Sequence, residues 1–155
     1  MGRVNYGRVI LGGVVAGVIV DISESLVNAL LLERQWADAM AKIGKSAVFG
    51  AAQIAAFNVW GLLVGLFAVW LYAAIRPRYG AGPRTALCAG LGTWFGVYLL
   101  SVLPSIAVDV FPASLMLTAT AIGLAEMVIA TQVGAYLYKE TEEHAPELHS
   151  AAAGA

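Results

Sequence analysis

Three acidic residues interrupt stretches of sequence that are otherwise almost entirely apolar. Asp21 and Glu24 lie within the run from Val9 to Leu32, and Glu126 lies within the run that follows Pro112. Clustered carboxyl groups in a low dielectric favour the protonated form, so we expect at least one of them to be neutral at pH 7. The alternative is that a cation shares the site. Either arrangement predicts proton or cation handling, because an ionisable side chain within a membrane is usually functional.

The same side chains also fit a purely structural network. Asn28 lies one turn beyond Glu24, and the hydroxyls of Ser23 and Ser25 are close in sequence. Hydrogen bonds between membrane helices contribute only about 1 kcal/mol each, so such a network can hold helices together and do nothing else. The two interpretations stay open. The candidate polar cluster comprises Asp21, Glu24, Asn28, Asn58 and Glu126.

Other chemistries lack the residues they need. The two histidines, His144 and His149, follow the last apolar run, and Cys88 is the single cysteine. Haem ligation within the apolar part, a cysteine metal site and a nucleophile–histidine pair are therefore not expected. We predict no catalytic residue, no cofactor and no metal site. The chain also lacks the basic stretch that a nucleic-acid partner requires.

The elements that carry the acids are predicted to cross a membrane. Of 155 residues, 60% are apolar and only 12% are charged, and the mean hydropathy is +0.78. A soluble domain contains roughly 25% charged residues. Since about 20 residues cross a bilayer as a helix, the sequence predicts an all-α, up-down bundle of four transmembrane helices with short loops. The predicted spans are 8–32, 47–75, 84–108 and 112–138, within a domain of residues 1–138; the acidic tail, residues 139–155, is expected to be disordered.

The distribution of lysine and arginine predicts the orientation of the spans. With the N-terminus inside, the inner side holds Arg3, Arg8, Arg76, Arg78, Arg84 and Lys139, and the outer side holds Arg34, Lys42 and Lys45. No lysine or arginine lies in the interior of a predicted span. The excess of basic residues on one side predicts that both termini are cytoplasmic.

Pairs of small residues, four positions apart, occur in every predicted span. In membranes such pairs allow helix backbones to approach closely. The pairs are Gly13/Gly17, Gly61/Gly65, Gly92/Gly96 and Ala130/Gly134. At 100° per residue, Asp21, Glu24 and Asn28 share an arc of about 80° with the first pair, so these polar side chains are predicted to point into the bundle. Counting at 1.5 Å per residue places Asp21, Glu24 and Glu126 at one level, roughly 20–24 Å from the inner end of the spans.

Two segments have features that bear on the ends and shapes of the spans. Residues 33–45 carry Trp36, Met40 and Ile43 at helical spacing, which fits either an amphipathic helix on the outer membrane surface or an extension of the first span. The stretch from Arg76 to Gly80 contains Pro77 and is expected to end the second span, and Pro104 is expected to kink or shorten the third.

Two short motifs resemble a group of bacterial four-span proteins. They are Asn5-Tyr6-Gly7-Arg8 with the glycine-rich stretch to Gly17 and Glu24 beyond it, and the later stretch from Trp70 to Arg78. The resemblance covers most of the chain except the tail. It implies a bacterial inner-membrane location and the same four-helix layout, with no assigned activity.

Three functions remain compatible with the sequence. The favoured one is an accessory, scaffold or assembly subunit of a membrane complex, which needs only small-residue faces. The second is a small proton- or cation-handling carrier or channel that uses Asp21, Glu24 and Glu126. The third is a lipid- or hydrophobe-binding membrane protein. The predicted partners are the lipid bilayer and either a homo-oligomer or a larger membrane complex, and no enzyme activity is expected.

Overall fold

Four helices that are long and apolar enough to cross a membrane make up most of residues 4–139, the part of the chain that the structure describes. In this computed structural model they are Tyr6–Leu31, Ala51–Tyr79, Pro83–Ala107 and Ala113–Leu137. No strand is present between residues 4 and 139. The prediction of an all-helical chain with four long apolar helices is confirmed. Arg3 and the predicted disordered tail beyond Lys139 lie outside the described residues.

Two of the four spans change their winding partway along. The first consists of an α-helix followed by a π-helical turn, and the third consists of an α-helix, a π-helical segment and a second α-helix. The elements are α1 (Tyr6–Leu26), the first π segment (Val27–Leu31), α2 (Glu33–Lys42), α3 (Ala51–Tyr79), α4 (Pro83–Thr93), the second π segment (Trp94–Leu99), α5 (Leu100–Ala107) and α6 (Ala113–Leu137).

The spans run alternately up and down around a shared core. α1 and α4 each pack between α3 and α6, which also touch each other across the bundle. On α1, Gly13 faces Leu66 of α3 and Gly17 faces Leu62, so the two helices are antiparallel. We call the end with the starts of α1 and α4 the closed end, and the opposite end the open end.

Glycines bring the helix backbones together in the closed half. A Cβ placed on Gly17 would lie 2.6 Å from the Cα of Leu62, and one on Gly134 of α6 would lie 2.7 Å from the carbonyl oxygen of Gly12. Real Cβ atoms do not approach so closely, so only glycine fits at these contacts. Ala16 and Ala130 are fully buried beside them. The closed half is therefore packed by small residues at van der Waals distance, as membrane helices require.

In the open half of the bundle, α3 lies apart from the other helices. Leu32, Ala39, Leu115 and Met116 are buried in one cluster that joins α2 and the adjoining turn to α6, with α5 packed against it. α3 contributes nothing to this cluster: its first ten residues, 51–60, are all exposed, and its buried positions begin only at Gly61. We call residues 51–60 the free half of α3. The bundle is closed at one end and forked at the other.

Two predictions about the second and third spans are wrong. Pro77 does not end the second span, because its fixed φ is compatible with a final helical turn; α3 continues to Tyr79, and Gly80 ends it at a φ of 84°. Gly92 and Gly96 were expected to pack against another helix, but both are exposed. A Cβ on Gly96 would meet nothing within 4 Å, and one on Gly92 would make only an ordinary contact with Leu71.

The segment after the first span is a separate helix. Leu32 has a φ of −112°, which breaks the helical path before α2 begins at Glu33. Trp36 of α2 packs edge-on against Phe111, with ring centroids 5.6 Å apart. Pro104, which was expected to kink or shorten the third span, lies within α5, and that helix continues to Ala107; the second π segment precedes α5 at Trp94–Leu99. The Ser101 hydroxyl donates to the carbonyl oxygens of Val97 and Tyr98, two residues of that segment.

Candidate polar site

Glu126 is the buried centre of the polar residues. Its side chain is 5% exposed, and the hydroxyl of Tyr98 lies 3.5 Å from its Oε1 atom. Ser23 and Glu24 of α1 lie close enough to interact with the same carboxyl group. Room for the Tyr98 ring is made by Gly123, where a Cβ would lie 2.7 Å from the ring. Three spans thus meet at one carboxyl group, and the glycine one turn before it sets how closely Tyr98 approaches.

A chain of hydrogen bonds connects Glu24 to the open end. The Asn28 amide donates to the Glu24 carboxylate over 2.7 Å and to the Glu24 carbonyl oxygen over 2.8 Å. The indole of Trp36 in α2 donates to the Asn28 side-chain oxygen over 2.7 Å. Glu24 also interacts electrostatically with both Tyr98 and Glu126. Polar groups therefore follow one another from α2 to the buried carboxyl group.

The two π segments lie where these polar residues are. Asn28 is in the first segment, and Trp94 and Tyr98 are in the second. The Trp94 indole donates to the carbonyl oxygen of Thr120 over 2.8 Å. A π-helical turn widens the helix, and single turns of this kind occur frequently at functional sites. Here the wider winding directs an amide and a phenol toward the acids.

Asp21 occupies a different position from the other two acids. It is half-buried and lies against Gly61 of α3, where even a Cβ would collide with its carboxylate. Gly61 is the first buried residue after the free half of α3, so Asp21 lies at the base of the fork. No hydrogen bond or ion pair to Asp21 is formed within residues 4–139, whereas Glu24 and Glu126 both receive hydrogen bonds from neutral donors.

Asn58 does not join the predicted cluster. It is exposed on the free half of α3, and its side chain forms no hydrogen bond with any residue that the structure describes. The periodicity placed it on the stripe that faces α1, and Gly61 on the same stripe does touch Asp21. The prediction failed because the buried positions of α3 begin only at Gly61, one turn after Asn58.

The sequence interpretation also missed Tyr98. A signal for it was available: Tyr98 lies 14 residues from Arg84 at the start of its span, or about 21 Å at 1.5 Å per residue. That is the level at which the acids were placed. Trp36 was noted only for its amphipathic spacing, although its indole bonds to Asn28. Tyrosine and tryptophan need a hydrogen-bond partner when buried, so the depth of Tyr98 was enough to place it beside the acids.

The positions of the three acids do not match those of a metal site within residues 4–139. Between residues 4 and 139, no three histidine, cysteine, aspartate or glutamate side chains converge closely enough to ligate a metal ion. Neutral donors approach Glu24 and Glu126 instead. The site as it stands can accept hydrogen bonds and exchange protons between adjacent groups.

No protein-family model, curated protein sequence or solved structure matches this chain.

Proposed function

We propose that this protein is an accessory or assembly subunit of a larger membrane complex, and that its four spans cross a bacterial inner membrane. The observation that carries the proposal is the free half of α3, in which ten consecutive residues are exposed at the open end, whereas from Gly61 onward one face of the same helix is buried. A second transmembrane helix fits beside such a segment, and it completes the bundle where this chain leaves it forked.

Exposed apolar residues alone do not distinguish a protein partner from lipid, because lipid tails are as apolar as leucine. Asn58 makes the distinction. Its side-chain amide has two donors and an acceptor, and none is used within residues 4–139. Unsatisfied polar groups are costly in hydrocarbon, and a hydrogen bond to a partner helix removes that cost. Asn58 therefore favours a protein surface over bare lipid on this side of α3.

Cross-linking from the free half of α3 tests the proposal. A photoreactive phenylalanine analogue at Phe57, which is 56% exposed, is expected to give a discrete protein adduct in native membranes. The matched control is the same analogue at Ile129 of α6, which is 57% exposed on the packed half and should give no such adduct. Adducts with lipid alone from Phe57 would contradict a subunit role and favour lipid binding.

Replacing Asn58 with leucine is expected to reduce the adduct formed from Phe57 severalfold. A hydrogen bond between membrane helices contributes about 1 kcal/mol, which is roughly a fivefold change in association. Leucine is apolar and of similar size, so lipid contact and the fold of the monomer should be kept. The measurement is the adduct yield at equal expression; an unchanged yield would show that Asn58 does not face the partner.

The orientation is part of the same proposal and rests on the charge bias. Six lysines and arginines flank the closed end and three flank the open end, so the closed end and both termini are expected in the cytoplasm. A C-terminal reporter that is active only in the cytoplasm should give a signal. Activity from a reporter that works only outside the cytoplasm would reverse the assignment.

A second candidate function, proton handling, is supported by one specific observation. Trp36, Asn28 and Glu24 form a continuous series of hydrogen bonds, and Glu24 interacts with Tyr98 and Glu126 beyond it. The carboxyl groups of Glu24 and Glu126 can pass a proton, whereas the Trp36 indole and the Asn28 amide keep their protons and hold Glu24 in position. The convergence of neutral donors favours this version over metal-ion transport. We rank it second because no continuation of the chain from Glu126 to the closed end is found within residues 4–139.

A further inference from the structure

We infer that the partner span beside the free half of α3 carries a lysine or arginine whose side chain pairs with Asp21. This inference rests on the proposed subunit role and names the chemistry of the partner. It combines three features of the fork: an aspartate without a partner, an adjacent helix face that is not covered, and the lack of any cation at this depth in the chain itself.

Asp21 is the acid that the chain leaves without a partner. Glu24 receives the Asn28 amide and Glu126 receives the Tyr98 hydroxyl, but no group within residues 4–139 donates to Asp21. Its side chain is half-buried, so one side of the carboxylate is accessible from the fork. A charged side chain at this depth is costly unless it is paired. The accessible side is where a pairing group has to approach.

No lysine or arginine within residues 4–139 forms an ion pair with Asp21. The lysines and arginines within the described residues flank the spans, at Arg8, Arg34, Lys42, Lys45, Arg76, Arg78, Arg84 and Lys139. Arg8 precedes Asp21 by 13 residues on the same helix, or about 20 Å. An extended lysine or arginine side chain spans only part of that distance. Charge complementarity must therefore come from another chain.

A second copy of this protein does not supply it. Its spans have the same composition, with acids but no lysine or arginine in their interiors, so pairing two open ends would bring together like charges. A different transmembrane chain with a basic residue in its outer half meets the requirement. Arginine and lysine side chains are long enough to reach from a helix packed on α3 to the base of the fork.

The geometry also indicates how the partner lies. Asn58 is three residues before Gly61, which touches Asp21, so Asn58 lies one turn nearer the open end on the same stripe of α3. A helix that bonds to Asn58 passes directly above Asp21. The basic residue of the partner is thus expected about one turn deeper than its contact with Asn58.

The test uses the adduct from Phe57 in native membranes, with the full-length chain. Asp21→Asn keeps the size of the side chain and removes its charge, and we expect the adduct yield to fall about tenfold or more, as for loss of one partner of a buried charge pair. Asp38→Asn is the matched control, because it makes the same change at an exposed acid of α2 outside the candidate polar site, and it should leave the yield unchanged. The unfolding midpoint of each purified variant in detergent shows whether the fold is kept.

The decisive experiment exchanges the charges of the two proposed partners. Mass spectrometry of the adduct identifies the cross-linked span, which should contain a lysine or arginine. Asp21→Lys should abolish the adduct, and replacing that basic residue of the partner with aspartate should restore it, even if Asp21→Asn alone is unstable. The inference is overturned if the cross-linked span has no basic residue or if the adduct is a second copy of this chain. It is also overturned if Asp21→Asn gives the same adduct yield as the wild type. A complete lack of protein adducts would instead refute the subunit role itself.

Discussion

Gly65→Leu is expected to separate α1 from α3 and to lower the free energy of unfolding by about 3 kcal/mol or more. A Cβ on Gly65 would lie 2.5 Å from the Cα of Gly17 and 2.6 Å from the carbonyl oxygen of Gly13. Both are backbone atoms, so no side-chain rotation relieves the overlap and the helices themselves must move. The measurement is reversible unfolding of the purified protein in mixed micelles, wild type against variant.

Gly96→Leu is the matched control for this prediction. It makes the same chemical change within a span, but a Cβ on Gly96 would meet nothing within 4 Å. Its effect on stability should stay within about 0.5 kcal/mol, as for exposed substitutions in general. If Gly65→Leu were as mild as Gly96→Leu, the close approach of α1 and α3 would be wrong. If both were severe, the face with Gly96 would be covered by another chain.

Glu126→Leu is expected to destabilise the bundle, and Glu126→Gln is expected to be tolerated. Glu126 is 5% exposed, and the Tyr98 hydroxyl lies 3.5 Å from its Oε1 atom. Leucine leaves that hydroxyl without an acceptor, at a cost of about 1–3 kcal/mol. Glutamine has nearly the same size and keeps an acceptor oxygen. The comparison of the two variants separates the loss of a hydrogen-bonding group from the loss of a titratable one.

A double-mutant cycle identifies the source of the cost. Adding Tyr98→Phe to Glu126→Leu removes the orphaned hydroxyl, so the double variant should be more stable than the sum of the single changes predicts. Strict additivity would mean that Tyr98 and Glu126 do not depend on each other.

The same glutamine variant decides between the two candidate functions. Glu126→Gln in liposomes should leave a subunit unaffected in assembly, because its fold is kept. If the protein conducts protons, the variant should abolish uptake, since the titrating group is gone. Wild-type protein that shows no uptake in the same vesicles would remove the proton-handling candidate.

Most of the fold was predictable because hydrophobic length is a strong signal. The four spans were placed to within four residues at every end, and the largest shifts are both in α3, where Ala51 and Tyr79 replace predicted ends at 47 and 75. The end at Tyr79 was misplaced because Pro77 was taken as the helix breaker, whereas the helix ends at Gly80. Gly80 has the positive φ that ends the helix, and Pro77 needs only a φ that helices already have.

The site was less predictable because helical periodicity assumes straight helices that stay together. That assumption held along α1, where Glu24 and Asn28 share a face and form a hydrogen bond. It failed for Asn58, because the buried positions of α3 begin only at Gly61. It also failed in the third span: Gly92 lies off the buried face of α4, and Gly96 lies exposed within the second π segment. Neither divergence nor a change in winding leaves a periodic trace in the sequence.

Residues 51–60 of α3 extend beyond the part of the helix that is packed in the bundle. The closed half of α3 is held by backbone contacts at Gly61 and Gly65, and the ten residues beyond them form an arm of about 15 Å. A tilt of about 10° moves the tip of that arm by roughly 3 Å. Trp60 is the last residue before the packed part of α3. Its ring centroid lies 5.5 Å from that of Tyr98, and the Tyr98 hydroxyl lies 3.5 Å from Glu126. A tilt of residues 51–60 would therefore move the Trp60 ring relative to the phenol beside the buried carboxyl group.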